Sequence, residues 1–346
     1  MNRIKMLNKL TAPLSEGNEL RVSYLDVAKG VLILSLLLAH FWSAKIRTDY
    51  ENDYFKYVYG WNCIFTCFYM PAFFIISGYC SNFCKTIKSF FKSLLKSLVL
   101  PLLTLSILSE IFYALLISDK SITDSISTVM RQGGTLWFIQ ALVVGKVICY
   151  FLNKIFDKIK YILLATLLLL VIGVVLNQWS ICENYFSFHH GLVASFFVAV
   201  GICLKKMQRE VYDKALKIGL YLYPALCLIN FWKSPNITAY LSVYITVIPI
   251  FIVLSIFGTL FLLEISKKIN KCKFLEYFGK NSLIVYGLHF APLVFFFKYY
   301  YECLNTDTIF GFIAFFLMLY ATELTICLII IKIFSYKPMR WLIGKF

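Results

Sequence analysis

Apolar stretches of around twenty residues recur from one end of this chain to the other, each long enough to cross a hydrocarbon core of roughly 30 Å at about 1.5 Å per residue. A water-soluble fold would need polar residues to clothe its surface, and they are missing: 60% of the 346 residues are hydrophobic and 15% are charged. The expected fold is all-α, a polytopic integral membrane protein with about ten transmembrane helices. Their approximate spans are 24–42, 61–81, 94–117, 134–153, 159–177, 188–204, 216–232, 239–263, 280–300 and 308–334. The gaps between them leave no room for a second domain, so residues 1–346 read as one transmembrane domain with a polar segment over 1–20.

Charge sets the expected orientation, because Lys and Arg resist translocation and collect in short cytoplasmic loops. Alternate connections hold runs such as Lys85, Lys88, Lys92 and Lys96, then Lys205, Lys206, Arg209, Lys214 and Lys217, then Lys267, Lys268, Lys271, Lys273 and Lys280. The opposite loops hold only Lys45, Arg47, Lys56, Lys120, Arg131, Lys233 and Lys298. An even number of spans with both termini in the cytoplasm accounts for this alternation. The net charge of +16 then reports topology and contact with anionic lipids, and no motif points to nucleic acid. The first twenty residues lack the apolar core of a cleaved signal, so the first span is expected to stay as an anchor. The eleven cysteines show no metal-type pairing and read as small packing residues. No metal is expected, and a disulfide among the outer Cys63, Cys182 and Cys303 cannot be assigned.

Ionisable groups at bilayer depth are costly, so each is a functional candidate. Asp26 and Lys29 sit at i,i+3 and can pair. The step from Lys29 to His40 is nearly three helical turns, which puts both on one stripe about 16 Å apart. His40 has the ordinary pKa for proton transfer near neutrality; its alternative is a histidine hydrogen-bonded between helices at the outer interface. Glu110, Lys146, His289 and Glu323 are the other central groups. For Glu110, Lys146 and Glu323 structural pairing is favoured; Lys146 with Glu323 is one neutralising pair the sequence allows, and which groups pair cannot be derived from it.

In Met70-Pro71-Ala72-Phe73-Phe74-Ile75-Ile76-Ser77-Gly78-Tyr79, Pro71 implies a kink and Gly78 a close backbone approach. Ser77 lacks a nucleophile elbow and reads as a packing residue or a substrate hydrogen bond. Arg131 and Trp137 flank two glycines at the outer interface, where an aromatic ring and a guanidinium suit a sugar, although Trp137 also fits an interfacial belt. His189 and His190 are expected at a solvated end.

These segments resemble the membrane acyltransferase 3 family, in its branch of fucose O-acetylase-like and surface-polysaccharide O-acetyltransferases. The resemblance is carried by Tyr24-Leu25-Asp26-Val27-Ala28-Lys29-Gly30 leading to His40, by Met70-Pro71 through Gly78-Tyr79, by Leu136-Trp137-Phe138-Ile139, and by Gly279-Lys280-Asn281-Ser282-Leu283 leading to Tyr286 and His289. The family's first helix often carries Arg, ten residues and then His; here Lys29 holds that place, keeping the charge and losing the guanidinium fork. The resemblance implies acetyl-CoA as cytosolic donor and a hydroxyl of a cell-surface or lipid-linked glycan as acceptor. The abundance of Lys, Ile, Phe and Asn points to an AT-rich bacterial genome, and the expected location is the inner (plasma) membrane. No extracytoplasmic domain is expected after the last span.

On this reading His40 is the general base, or forms a transient acyl-histidine, while Asp26 and Lys29 orient the helix or the donor. Lys85 and Lys88 are expected to hold the donor's phosphates. Arg131, Trp137, Ser77 and His289 are expected to position the acceptor. Two other readings stay open: a glycan transporter or flippase without acyl-transfer chemistry, and a membrane subunit that binds the donor without turnover.

Overall fold

The computed structural model describes residues 23–48, 54–55, 67–117, 121, 123–124, 126–127, 129, 136–179, 186–233 and 248–344. Among these residues the regular structure is helical and no strand occurs. Lipid offers no partner to peptide N–H and C=O groups, and a helix satisfies them within its own segment.

In chain order the helices are α1 (Ser23–Thr48), α2 (Tyr69–Cys80), α3 (Ile87–Leu94), a π-helical turn (Leu95–Val99), α4 (Leu100–Leu116), α5 (Trp137–Ile155), α6 (Ile159–Gln178) and α7 (Phe188–Lys206). They continue with α8 (Arg209–Lys233), α9 (Ile248–Ile269), α10 (Lys273–Lys280), α11 (Ser282–Leu288), α12 (Phe290–Cys303), α13 (Ile309–Ile333) and α14 (Lys337–Leu342). Among the described residues seven helical segments are long and apolar enough to span a membrane, and the bent pair α11 and α12 makes up to eight. A helix lies in the described part of each of the ten expected spans. The two outside the seven or eight are α2, whose 12 residues are too few, and α8, which opens on Arg209, Glu210, Asp213, Lys214 and Lys217.

Proline chemistry explains two irregularities. Pro292 has no N–H for the Leu288 carbonyl and its ring crowds it. The helix breaks beside this point, at His289, and bends by 54° between α11 and α12. Pro101 likewise deprives the Ser97 carbonyl, and just before it Leu100 N–H reaches back five residues to Leu95 O. Pro71 does not produce the expected kink. It falls in the first turn of α2, where a missing N–H costs nothing.

Helix α7 lies against α2, α5 and α6, and α1 against α9, α10 and α12. Two glycine pairs set the closest approaches. Gly78 of α2 faces the Val198 carbonyl, and Gly201 of α7 faces the Ile75 carbonyl. Gly30 of α1 faces the Leu275 carbonyl of α10, and Gly279 returns the contact to Asp26 O. A Cβ at any of the four would collide with backbone, so small residues let these helices touch. A second cluster, with Phe41, Phe55, Phe297, Phe312 and Phe315 at its core, closes the end of the bundle beyond His40.

Gly30→Leu is therefore expected to cost about 1–3 kcal/mol or more through overpacking. Thermal unfolding of purified protein in detergent checks this, with a lowered midpoint expected and Leu34→Ala, at a half-buried site on the same helix, as the milder comparison.

Candidate active site

One face of α1 organises the site. Lys29, Ile33 and Leu36 follow at helical steps of four and three and line a common cavity, and His40 continues the stripe one turn further. Asp26, 2% exposed, pairs with Lys29 at 3.7 Å, as expected. The α1 start is latched to α10: Ser23 Oγ donates to Glu276 Oε1 at 2.7 Å, and Lys280 Nζ donates to Glu276 Oε2 at 3.0 Å. The Ser23 hydroxyl first, and the Lys280 ammonium second, hold the Glu276 carboxyl below the usual carboxylate range. The latch is thus complete above the ordinary carboxylate pKa and is lost as pH falls through the depressed one.

At the other end of the stripe, His40 Nδ1 lies 2.6 Å from His289 Nε2, with the rings 11° from parallel. His289 sits at the α11–α12 break, 1% exposed. Its Nδ1 is 2.9 Å from Val285 O and 3.1 Å from Tyr286 O. These contacts fix the proton positions. A carbonyl only accepts, so His289 Nδ1 carries the hydrogen and, in the neutral ring, its Nε2 accepts. His40 Nδ1 must then donate. The lone pair left over is on His40 Nε2, the atom a general base uses.

The cavity, about 270 Å³, runs beside α1 and ends one turn short of this pair. Its far end is closed by Leu36, Met70, Phe138 and Tyr286, with Phe138 N–H donating to the Tyr286 hydroxyl at 3.3 Å. Lys29, Lys146 and Lys280 supply its cations, and Ser77, Ser81 and Ser282 are also in its wall.

The structure thus brings Lys29 and Ser77 into one cavity and joins His40 to His289. Trp137 is not in the cavity wall; its ring packs 5.1 Å from His190. Lys85 receives the Tyr150 hydroxyl on its carbonyl at 3.0 Å, Lys88 is exposed, and neither lines the cavity. Arg131, Cys63 and Cys182 lie outside the described residues.

Two expectations are corrected. Lys146 does not pair with Glu323: it lines the cavity, whereas Glu323 is buried on α13 with Cys327 Sγ 3.9 Å from its Oε1. His189 is not at a solvated end but 3% exposed, its ring 3.9 Å from that of His190. Lys146, Lys280, Ser282 and Tyr286 were not singled out as site residues from the sequence. For Lys146 the signal was present, since it stands in the middle of an apolar span.

A bundle of membrane-spanning helices around a lysine-lined cavity, with a polarised histidine pair beyond its end, defines a multi-pass membrane protein with a polar site within the bilayer. A family profile described as an acyltransferase domain matches residues 22–332, and the chain belongs to the acyltransferase 3 family. It is an acyltransferase. Comparison with curated proteins and with solved structures gives no match.

Nitrogen-15 spectra of histidine-labelled protein are expected to show both His40 and His289 as Nδ1–H tautomers at neutral pH. In His289→Phe the His40 signal should shift towards a mixture of tautomers, because nothing then dictates which nitrogen keeps the proton.

Proposed function

We propose that this protein is a membrane O-acyltransferase that moves an acetyl group from cytosolic acetyl-CoA to a hydroxyl of a cell-surface or lipid-linked glycan. The observation that carries the reading is the His40–His289 pair, whose hydrogen bonds leave the His40 Nε2 lone pair available beside the end of the cavity. The lysine-rich end faces the cytosol by the charge rule, with both termini on that side. The membrane is then the plasma membrane of a bacterial cell.

The donor's acyl arm enters the cavity from the lysine-rich end and lies along Lys29, Ile33 and Leu36. Its thioester reaches His40 when the side chains of Leu36 and Tyr286, at the closed end of the cavity, move aside. His40 Nε2 takes the proton of the acceptor hydroxyl as its oxygen attacks the thioester carbonyl, so no free alkoxide forms in the apolar site. The tetrahedral adduct collapses with cleavage of the C–S bond. The imidazolium returns its proton to the departing CoA thiolate, leaving an acetyl ester and free CoA. His289 is a positioning residue here: it spreads the imidazolium's charge towards the Val285 carbonyl and fixes the ring.

Mass spectrometry of surface polysaccharide is the test, in cells carrying wild type, His40→Ala or no protein. Wild type is expected to add one acetyl unit per repeat and His40→Ala to lose at least about 10²-fold of that activity, the usual scale for a general base. Polysaccharide unchanged by removal of the protein, or wild-type acetylation by folded His40→Ala, overturns the reading. His289→Gln is expected to fall between the two, with the larger loss in kcat.

A further inference from the structure

Lys146 is a cation near the middle of a membrane-spanning helix, and among the described residues no carboxylate pairs with it. The cavity's other two lysines are each matched by a carboxylate, Lys29 by Asp26 and Lys280 by Glu276. Among the described residues Lys146 has no ion pair or hydrogen bond of its own. Its neighbours in the cavity wall include the Cys80 thiol and the like charge of Lys29, and no carboxylate side chain lines that wall. An ammonium kept in such a place is expensive and marks a site for something negative. Surface lysines face solvent and do not carry this argument. Lys146 does, because its side chain lines a cavity about 270 Å³ in volume.

The position along the cavity narrows the ligand. Phe138, two residues into α5, lies at the closed end against Tyr286, and Lys146 is eight residues, about 12 Å, nearer the lysine-rich end. It therefore stands at the level of Lys29, about 16 Å of helix rise from His40. A ligand joining the two has an anionic group at one end and a reactive acyl group at the other, with a thin linker between. The linker passes the apolar walls made by Ile33, Leu36, Met70 and Phe73. A pantetheine arm is comparable in length to four or five extended peptide units, roughly 13–18 Å, and matches the span.

We propose that Lys146 anchors the phosphate-bearing end of a phosphopantetheine thioester inside the membrane-embedded cavity, with Lys29 and Lys280 beside it, in place of Lys85 and Lys88, neither of which lines that cavity. This rests on the acyl-donor reading above and adds to it where the donor is held and what selects it. Lys146 contacts the phosphate and takes no part in the chemical step, so its loss weakens binding and leaves the histidine pair intact.

The experiment is a binding titration of CoA and of pantetheine to the purified protein in lipid nanodiscs, alongside acetyl-CoA kinetics. Loss of a charge-assisted hydrogen bond to phosphate is expected to weaken CoA binding by at least about 10-fold in Lys146→Gln. Pantetheine, which has no phosphate, should bind Lys146→Gln and wild type alike, and Lys146→Arg should hold CoA within about threefold of wild type. The same contrast is expected as a raised KM for acetyl-CoA with kcat nearly unchanged. CoA binding by folded Lys146→Gln equal to wild type overturns the anchor while the acyltransferase reading stands. An equal loss for CoA and pantetheine overturns it as well, since Lys146 would then shape the cavity without meeting phosphate. Failure of wild type to bind CoA removes both the anchor and the CoA donor.

Discussion

Everything in this fold follows from a solvent that will not hydrogen-bond. In the hydrocarbon core each peptide group must be satisfied within the chain, and the helix does this locally. The constraint makes departures from the helix informative, because each must be compensated nearby. At His289 a side chain joins in: the imidazole Nδ1–H bonds to the carbonyls of Val285, which also accepts the His289 N–H, and Tyr286 in the last turn of α11. The same bond that caps the broken helix sets the tautomer of His289, and through it that of His40. Helix satisfaction and the tautomer of the histidine pair are one arrangement.

Close helix contact is the second requirement, since lipid tails are as apolar as the side chains and give helices little reason to associate. Gly30 with Gly279, and Gly78 with Gly201, remove the side-chain spacer and bring backbones together. Gly30 lies one residue from Lys29, and Gly279 and Lys280 both line the cavity. The tight contact between α1 and α10 therefore also fixes two of the cavity's three lysines relative to one another. A small residue in such a helix serves placement of its charged neighbour as much as stability.

The helical segments were legible in the sequence because twenty-residue apolar runs report span length directly; this held for α1, α5, α6, α7, α9 and α13. It was less informative for α2, where Pro71 suggests a kink and the chain instead starts a short helix with it. The stripe from Lys29 to His40 was legible because both lie on one helix, where periodicity fixes the face. The partnership of His40 with His289 was not, since it joins residues 249 apart and depends on a bend that Pro292 induces. The surroundings of Lys146 were not legible for a related reason. A lysine in an apolar span calls for a counter-charge, but composition cannot say which carboxylate supplies it, and the packing of α5 beside the cavity is what separates Lys146 from Glu323.

The π-helical turn at Leu95–Val99 ties these parts together at long range. It adds a residue to a helix whose later face, through Leu105, bears against Gly287 of α11, while Leu98 within the turn lines the cavity. Taking one residue out of that turn would restore a regular spiral, yet would rotate everything after it by about 100°. Leu105 would swing away from α11, and the segment that holds His289 would lose its bearing. The alignment of the two imidazoles thus depends on a surplus residue in a different span, and shortening that span by a single position would be felt at the histidine pair rather than where the deletion was made.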